Sequence, residues 1–279
     1  MTAGEAARPV RAVRVAQIMG TAVSIHVIHD RTVGTTLGPR IDDVAEAAFA
    51  DVREADRRFS TYRHDSDILR IARSELAMEG ADASVREVAA ACGLAHARTG
   101  GRFSAHWRGW FDPTGYVKGW AVETAARRWL LPLAAQPGIV AVGVNAGGDM
   151  QVFTNPGADW SWRIGIADPA HPGTLLATLD LRNGAVATSG TGERGEHIVD
   201  PRTGRAARGV ASATVVADGL AEADVWATAA VVGGFDDLQF TARRGTRGML
   251  VATDGRIRRW IDRTEVSVSD SARTPVMIA

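Results

Sequence analysis

Cysteine is almost missing from this 279-residue chain, in which Cys92 stands alone. One thiol excludes an internal disulfide and any thiolate metal cluster, and its place in the helical-looking segment Ala83 to Ala97 makes it a small core residue. An excess of either charge is missing too. Lys plus Arg and Asp plus Glu are both 32, so no long-range field favours nucleic acid or an anionic membrane. No segment has the length of a membrane span, and Met1 to Arg14, rich in Arg and Ala, lacks the apolar run of a signal peptide. The expectation is therefore a cytoplasmic chain without membrane insertion, with residues 1–12 disordered ahead of a single domain. The segment Asp112 to Gly119 contains neither the dinucleotide glycine pattern nor a Gly-Lys-Ser/Thr loop, so neither of these two common frameworks holds a nucleotide there.

What is present suffices for a sizeable core, since 46% of the residues are hydrophobic. Val13 to Ile18 and Ala22 to Ile28 flank Met19-Gly20-Thr21 and predict two strands around a tight turn or bulge. After Pro39, Ile41, Val44, Ala48, Phe49, Val52 and Ala55 recur at helical spacing. Ser66 and Ser84 can open two more helices, and a fourth is expected from about Tyr116 to Leu131, ended by Pro132. Ile139 to Val144 is apolar on both faces, as in a buried central strand. Strands at Met150–Phe153, Trp160–Ile166, Leu175–Leu181, Ala185–Thr188 and Ala211–Val216 follow, then helices Leu220–Val232 and Phe235–Arg243, and a hairpin around Asp254-Gly255. Strands and helices mix without strict alternation, which predicts an α+β fold with largely antiparallel or mixed sheets and flanking helices, and a ligand cleft is expected between its lobes.

Three segments can carry chemistry. Asp224 and Thr228 lie four apart on a predicted helix, so a carboxylate and a hydroxyl can converge; two hard oxygens suit magnesium or calcium. The same pair also describes a solvated Asp and a Thr bonded back to its own helix. Asp112-Pro113-Thr114-Gly115-Tyr116-Val117-Lys118-Gly119 leads from an irregular stretch into a helix. Its free N–H groups and the Lys118 charge suit a phosphate, or else Asp112 and Thr114 simply cap the helix. Ala187-Thr188-Ser189-Gly190 is followed by His197-Ile198-Val199-Asp200-Pro201-Arg202-Thr203-Gly204, with a histidine able to move protons and Arg202 able to hold a carboxylate or phosphate. Met19 offers a thioether beside a backbone bend, and Phe59-Ser60-Thr61-Tyr62 an aromatic ring for a planar ligand.

Taken in order with Asn145-Ala146-Gly147-Gly148-Asp149, these motifs resemble those of the ApbE family of FAD:protein FMN transferases along nearly the whole chain, the run from His197 to Gly204 being the most specific. The resemblance implies that Met19 and Tyr62 contact the flavin end of FAD and that Asp112 and Lys118 hold the nucleotide. It implies that the Gly115 carbonyl, Asp224 and Thr228 ligate Mg²⁺, and that Ser189, Gly190, His197 and Ile198 line the diphosphate and the reacting centre. The implied activity moves FMN from FAD onto a Thr or Ser hydroxyl of an acceptor flavoprotein and releases AMP; a Mg²⁺-dependent FAD pyrophosphatase would carry the same sites, and against the further alternative, a non-catalytic FAD-binding protein, stand the intact Asp224, Thr228 and His197. His197 is the candidate proton acceptor, with Asp224 the alternative. Two departures stand out: no export segment, and a short stretch between Gly190 and His197.

Overall fold

In the computed structural model, which describes residues 9–31, 34–190 and 198–266, the chain starts with the hairpin of β1 (Val10–Ile18) and β2 (Thr21–His29). Ile18 pairs with Thr21, so the connection is the two-residue turn Met19-Gly20, with φ of 54° and 71°. Two positive φ values match the twist of the flanking strands, which settles the turn-or-bulge alternative in favour of the turn. Val10 to Ala12 are already paired in β1, so the disorder expected over residues 1–12 does not extend to them. The helix expected after Pro39 is α1 (Gly34–Phe59), which starts ahead of the proline and carries it inside.

A helical layer follows. Ser66 caps α2 (Asp67–Ala72) by accepting a hydrogen bond from the Leu69 N–H at 3.3 Å. For α3 (Ala83–Arg98) the cap is Asp82 and not Ser84, whose N–H donates to the Asp82 carboxylate at 2.9 Å. Then α4 (Thr114–Ala125) runs into a π turn, Ala126–Leu130, and on to α5 (Leu131–Ala134). Pro132 therefore does not stop the helix: the Leu131 N–H reaches back five residues to the Ala126 carbonyl, and the widened turn accommodates a residue that cannot donate to a regular ladder.

The remaining strands are β3 (Ile139–Ala146), β4 (Asp149–Thr154), β5 (Trp162–Ala167), β6 (Leu175–Leu181), β7 (Gly184–Gly190), β8 (Val199–Asp200), β9 (Arg205–Ala206), β10 (Val210–Ala217), β11 (Arg247–Ala252), β12 (Ile257–Ile261) and β13 (Thr264–Val266), with α6 (Leu220–Gly233) and α7 (Leu238–Thr241) between β10 and β11. Nine strands form one antiparallel sheet in the order β1-β2-β3-β4-β7-β10-β11-β12-β13. The predicted α+β class with antiparallel sheets is the observed one. The second helix expected there, Phe235–Arg243, shrinks to the four residues of α7.

Packing places three cores. The main one joins the sheet to α1, α4 and α6 through residues such as Ile25, Phe49, Leu130, Val142, Val215 and Trp226. A second fills the helical layer with Ile68, Val85, Val88, Cys92, Phe103 and Val117. There burial pushes the Cys92 thiol up to about 12, so it stays protonated and inert. The β5–β6 hairpin contributes Ile164 and Leu181 to a third, with Val152, Val186 and Val216 of the sheet. Almost all of α6 is buried, as expected of a helix that is apolar on every side.

The α4–α6 crossing is close because Gly119 lies in it. A Cβ there would stand 3.1 Å from the Ala221 Cα and 3.1 Å from the Leu220 carbonyl oxygen. On the same pair, Glu123 of α4 accepts a hydrogen bond from the Ala221 N–H at 3.0 Å. It supplies the first turn of α6 with the acceptor that Gly219, at the N-cap, lacks. Gly119→Val should force the helices apart and cost about 1–3 kcal/mol in a urea melt; a wild-type midpoint would show that the crossing is not tight.

On β2, His26 lies between Ser24 Oγ at 2.9 Å and the Arg11 guanidinium at 2.8 Å. Burial first, and the Arg11 charge second, push its pKa from 6.5 down to about 4. The unfolded chain takes up this proton before the folded one does, so stability is lost as pH falls from about 6.5 to about 4. Thermal melts across that window should show a flatter decline for His26→Gln than for wild type, and an identical decline would contradict the assignment.

Candidate active site

One end of the sheet gathers the predicted residues. The Met19-Gly20 turn lies beside the Gly147-Gly148 turn that joins β3 to β4: the Gly147 N–H donates to the Ala22 carbonyl at 3.2 Å, and a Cβ on Gly147 would fall 2.6 Å from Thr21 Oγ1. Immediately after that second turn comes Asp149, only 2% exposed. Its Oδ1 accepts a hydrogen bond from the Thr188 N–H of β7 at 3.0 Å, and its Oδ2 is in contact with the Lys118 ammonium of α4. Lys118 is the only lysine in the chain.

The second acid near Lys118 is Asp224 of α6. It is 8% exposed, and its Oδ2 lies 3.8 Å from Lys118 Nζ. One turn on, the Thr228 hydroxyl meets the Ser189 hydroxyl at 3.1 Å. The strand β7 carrying Ser189 is held to β10 by Gly190, where a Cβ would meet the Ala211 carbonyl oxygen at 2.6 Å. Lys118, Ser189, Asp224 and Thr228 are thus brought together by α4, β7 and α6. Asp149 belongs with them and was not among the residues expected from the sequence; its signals were the turn Gly147-Gly148-Asp149 and a solitary lysine.

The other expected residues have surroundings of their own. Met19 packs against both the sheet core and the helical core, at their junction. Tyr62, just beyond α1, is 97% exposed, so its ring is free for a planar partner. Asp112 is buried, with Oδ1 accepting from the Thr114 hydroxyl at 2.6 Å and the Thr114 N–H at 3.2 Å, and with Arg108 3.4 Å from Oδ2. These contacts are those of a residue stabilising the first turn of α4. Gly115 is exposed in that turn, its Cα side facing the Phe103 ring. The Ile198 side chain is buried in the main core. Arg202 is engaged by its neighbour Asp200 through two 2.9 Å hydrogen bonds, which hold that carboxyl below the usual range. His197 lies outside the described residues.

The donor chemistry suits a hard cation. Asp224 is largely buried, yet among the described residues no protein group donates a hydrogen bond to its side chain, and its charge partner Lys118 stands 3.8 Å away. A buried carboxylate in that position is stabilised by a cation. No cluster of three or more His, Cys, Asp or Glu suited to a metal occurs among the described residues. An ion here would take one carboxylate and neutral oxygens, and would complete its shell with water or phosphate oxygens, as magnesium does. A cavity of about 280 Å³ borders the other side of the same helices, by Leu94, Arg98, Tyr116, Glu222 and Trp226. None of the described candidate residues lines it.

The sequence profile of the ApbE family matches residues 19–109 and 106–251. This chain belongs to the ApbE family. Among curated relatives, the FAD:protein FMN transferase of Rhodobacter capsulatus is 39% identical over 153 residues, covering 51% of this chain and 28% of that protein. The FAD:protein FMN transferase of Escherichia coli K12 is 31% identical over 137 residues, covering 46% of this chain and 38% of that one. The aligned segments thus span well under half of those proteins. The fold matches the ApbE protein of Thermotoga maritima with a TM-score of 0.70 at 23% identity, over 90% of this chain and 97% of the other. It matches the flavinyl transferase ApbE of Pseudomonas stutzeri with a TM-score of 0.70 at 21% identity, over 90% and 93%. No helix among the described residues is long and apolar enough to cross a membrane.

Removing the ammonium would leave Asp149 buried without its counter-charge. Lys118→Met should lower the unfolding free energy by about 3 kcal/mol, the usual loss when one partner of a buried pair is deleted. Chemical denaturation measures it, and a loss under about 0.5 kcal/mol, the range of ordinary surface substitutions, would mean that the pair is effectively solvated.

Proposed function

We propose that this chain is a Mg²⁺-dependent FAD:protein FMN transferase that places FMN on a Thr or Ser hydroxyl of an acceptor flavoprotein and releases AMP. The observation that carries the reading is the convergence of the Lys118 ammonium, the buried Asp224 carboxylate and the Ser189–Thr228 hydroxyl pair at one end of the sheet. Membership of the ApbE family and the names of the curated relatives support it.

Mg²⁺ would be held by Asp224, the Thr228 hydroxyl and the Gly115 carbonyl, and when bound it supplies positive charge to the FAD diphosphate. Lys118 adds a full charge to the same group, from a side chain already fixed by Asp149. Ser189 and the Gly190 backbone line the phosphates, with Ile198 beside them. Met19 and the exposed Tyr62 ring take the isoalloxazine end, and Asp112 orders the start of α4 on the nucleotide side.

In the reaction the acceptor hydroxyl oxygen forms a bond to the phosphorus on the riboflavin side, and the bond from that phosphorus to the bridging oxygen breaks. The electron pair of the broken bond leaves with AMP, and the hydroxyl proton passes to a base. His197 is the residue assigned that proton. Asp224 is the alternative, through its position at the metal.

Incubation with FAD, Mg²⁺ and an acceptor domain carrying a reactive Thr should give a fluorescent band on a denaturing gel and a mass gain equal to FMN less water. Free FMN and AMP with no mass gain would make the protein a pyrophosphatase, and intact FAD would leave it a binding protein. Asp224→Ala should lower Mg²⁺-dependent turnover by at least about a hundredfold with little change in folding, in line with loss of a principal electrostatic contributor; wild-type turnover would remove Asp224 from the site.

A further inference from the structure

The arrangement of the two acids around one ammonium is unequal, and that inequality needs a cause. Lys118 reaches both carboxylates: it is in contact with Asp149, while Asp224 is held off at 3.8 Å. Asp224 is a buried anion to whose side chain no group among the described residues donates a hydrogen bond, and an untethered ammonium on a flexible four-carbon stem would close on it. Asp149 can resist that movement because it is anchored at its far side. It begins β4 directly after a two-glycine turn, and its other oxygen is fixed by the Thr188 N–H at 3.0 Å. The Thr188 hydroxyl is itself bonded to Thr214 of β10 at 2.9 Å. The tether is thus built into three adjacent strands of the central sheet.

We infer that Asp149 is a positioning residue that holds the only lysine of the chain away from Asp224 and so keeps the Asp224 carboxylate open for a divalent cation. Without the tether the ammonium becomes an internal competitor for the metal site. The inference rests on the proposed metal role of Asp224 and adds a function for a residue that touches neither the metal nor the reacting atoms.

Two measurements on the full chain test it. By titration calorimetry with MgCl₂ on the FAD-free protein, where Lys118 has no phosphate to hold, Asp149→Asn should bind Mg²⁺ at least about tenfold more weakly than wild type, a difference of about 1.4 kcal/mol. Asp149→Asn combined with Lys118→Met should return to the wild-type affinity or better, because the competitor is gone. If Asp149 acted on Mg²⁺ through its own charge or as a ligand, the double variant would stay weak, and that result overturns the inference. The double variant also removes both members of the buried pair, so it reports on the metal even if Asp149→Asn alone folds poorly. A crystal structure of Asp149→Asn, or of Asp149→Ser if the first is unstable, reads the geometry without reference to any metal. The Lys118 ammonium should be in direct contact with Asp224, and an ammonium still held off from it would sink the proposal. Absence of Mg²⁺ binding in the wild-type protein would count against the proposed function, and the crystal structure would still decide the tether.

Discussion

The contact of the Lys118 ammonium with the buried Asp149 carboxylate is the constraint around which the site is organised. A charge placed among β-strands is tolerated only when matched, and the match here must come from a different layer of the fold, since α4 supplies the cation and β4 the anion. The pair therefore registers helix against sheet. The same ammonium lies 3.8 Å from Asp224 on α6, so one lysine relates the two helices and the sheet end that form the centre.

That relation depends on how closely the layers approach. Gly119 lets α4 and α6 cross with backbone against backbone, and Gly190 lets β7 lie against β10 with no side chain between. Alanines along α6 bring its buried face onto β7 and β10. As a result the Thr228 hydroxyl reaches Ser189 directly. Asp149 and Ser189 stand at strand ends, while Lys118, Asp224 and Thr228 lie within helices among apolar neighbours, which keeps the neighbourhood low in dielectric and strengthens every charge placed there.

Much of the fold was legible from local pattern. Alternating and continuous apolar runs place β1 to β7 and β10 to β12 to within a few residues, because burial on one or both faces of a sheet leaves a direct trace in composition, whereas the short strands β8, β9 and β13 carry no such run. Misplacements occurred where local signals were ambiguous. Ser84 and Asp82 are both good caps, and only the geometry shows that the Asp82 carboxylate takes the bond. Pro132 usually ends a helix, but a π turn stored in Ala126–Leu130 lets the chain continue. Of Phe235–Arg243 only Leu238–Thr241 is helical, with Asp237 just ahead of it paired to Arg102, a partner that sequence proximity cannot reveal.

For the site, the order of motifs identified the family, and the i, i+4 spacing of Asp224 and Thr228 set them on one side of a helix. Those are one-dimensional properties, determined by helix geometry and residue chemistry alone. What the sequence could not contain is the pairing of positions 118 with 149, 149 with 188 and 189 with 228, each between elements far apart in the chain. Asp112 shows the converse: its residue type suits a nucleotide, while the folded chain turns its carboxylate toward Thr114 and Arg108. Residue types and spacing determined which groups were available; only the close packing of α4, α6 and the sheet decided which of them meet, because a charge or hydroxyl acts over a few ångströms and not along the chain.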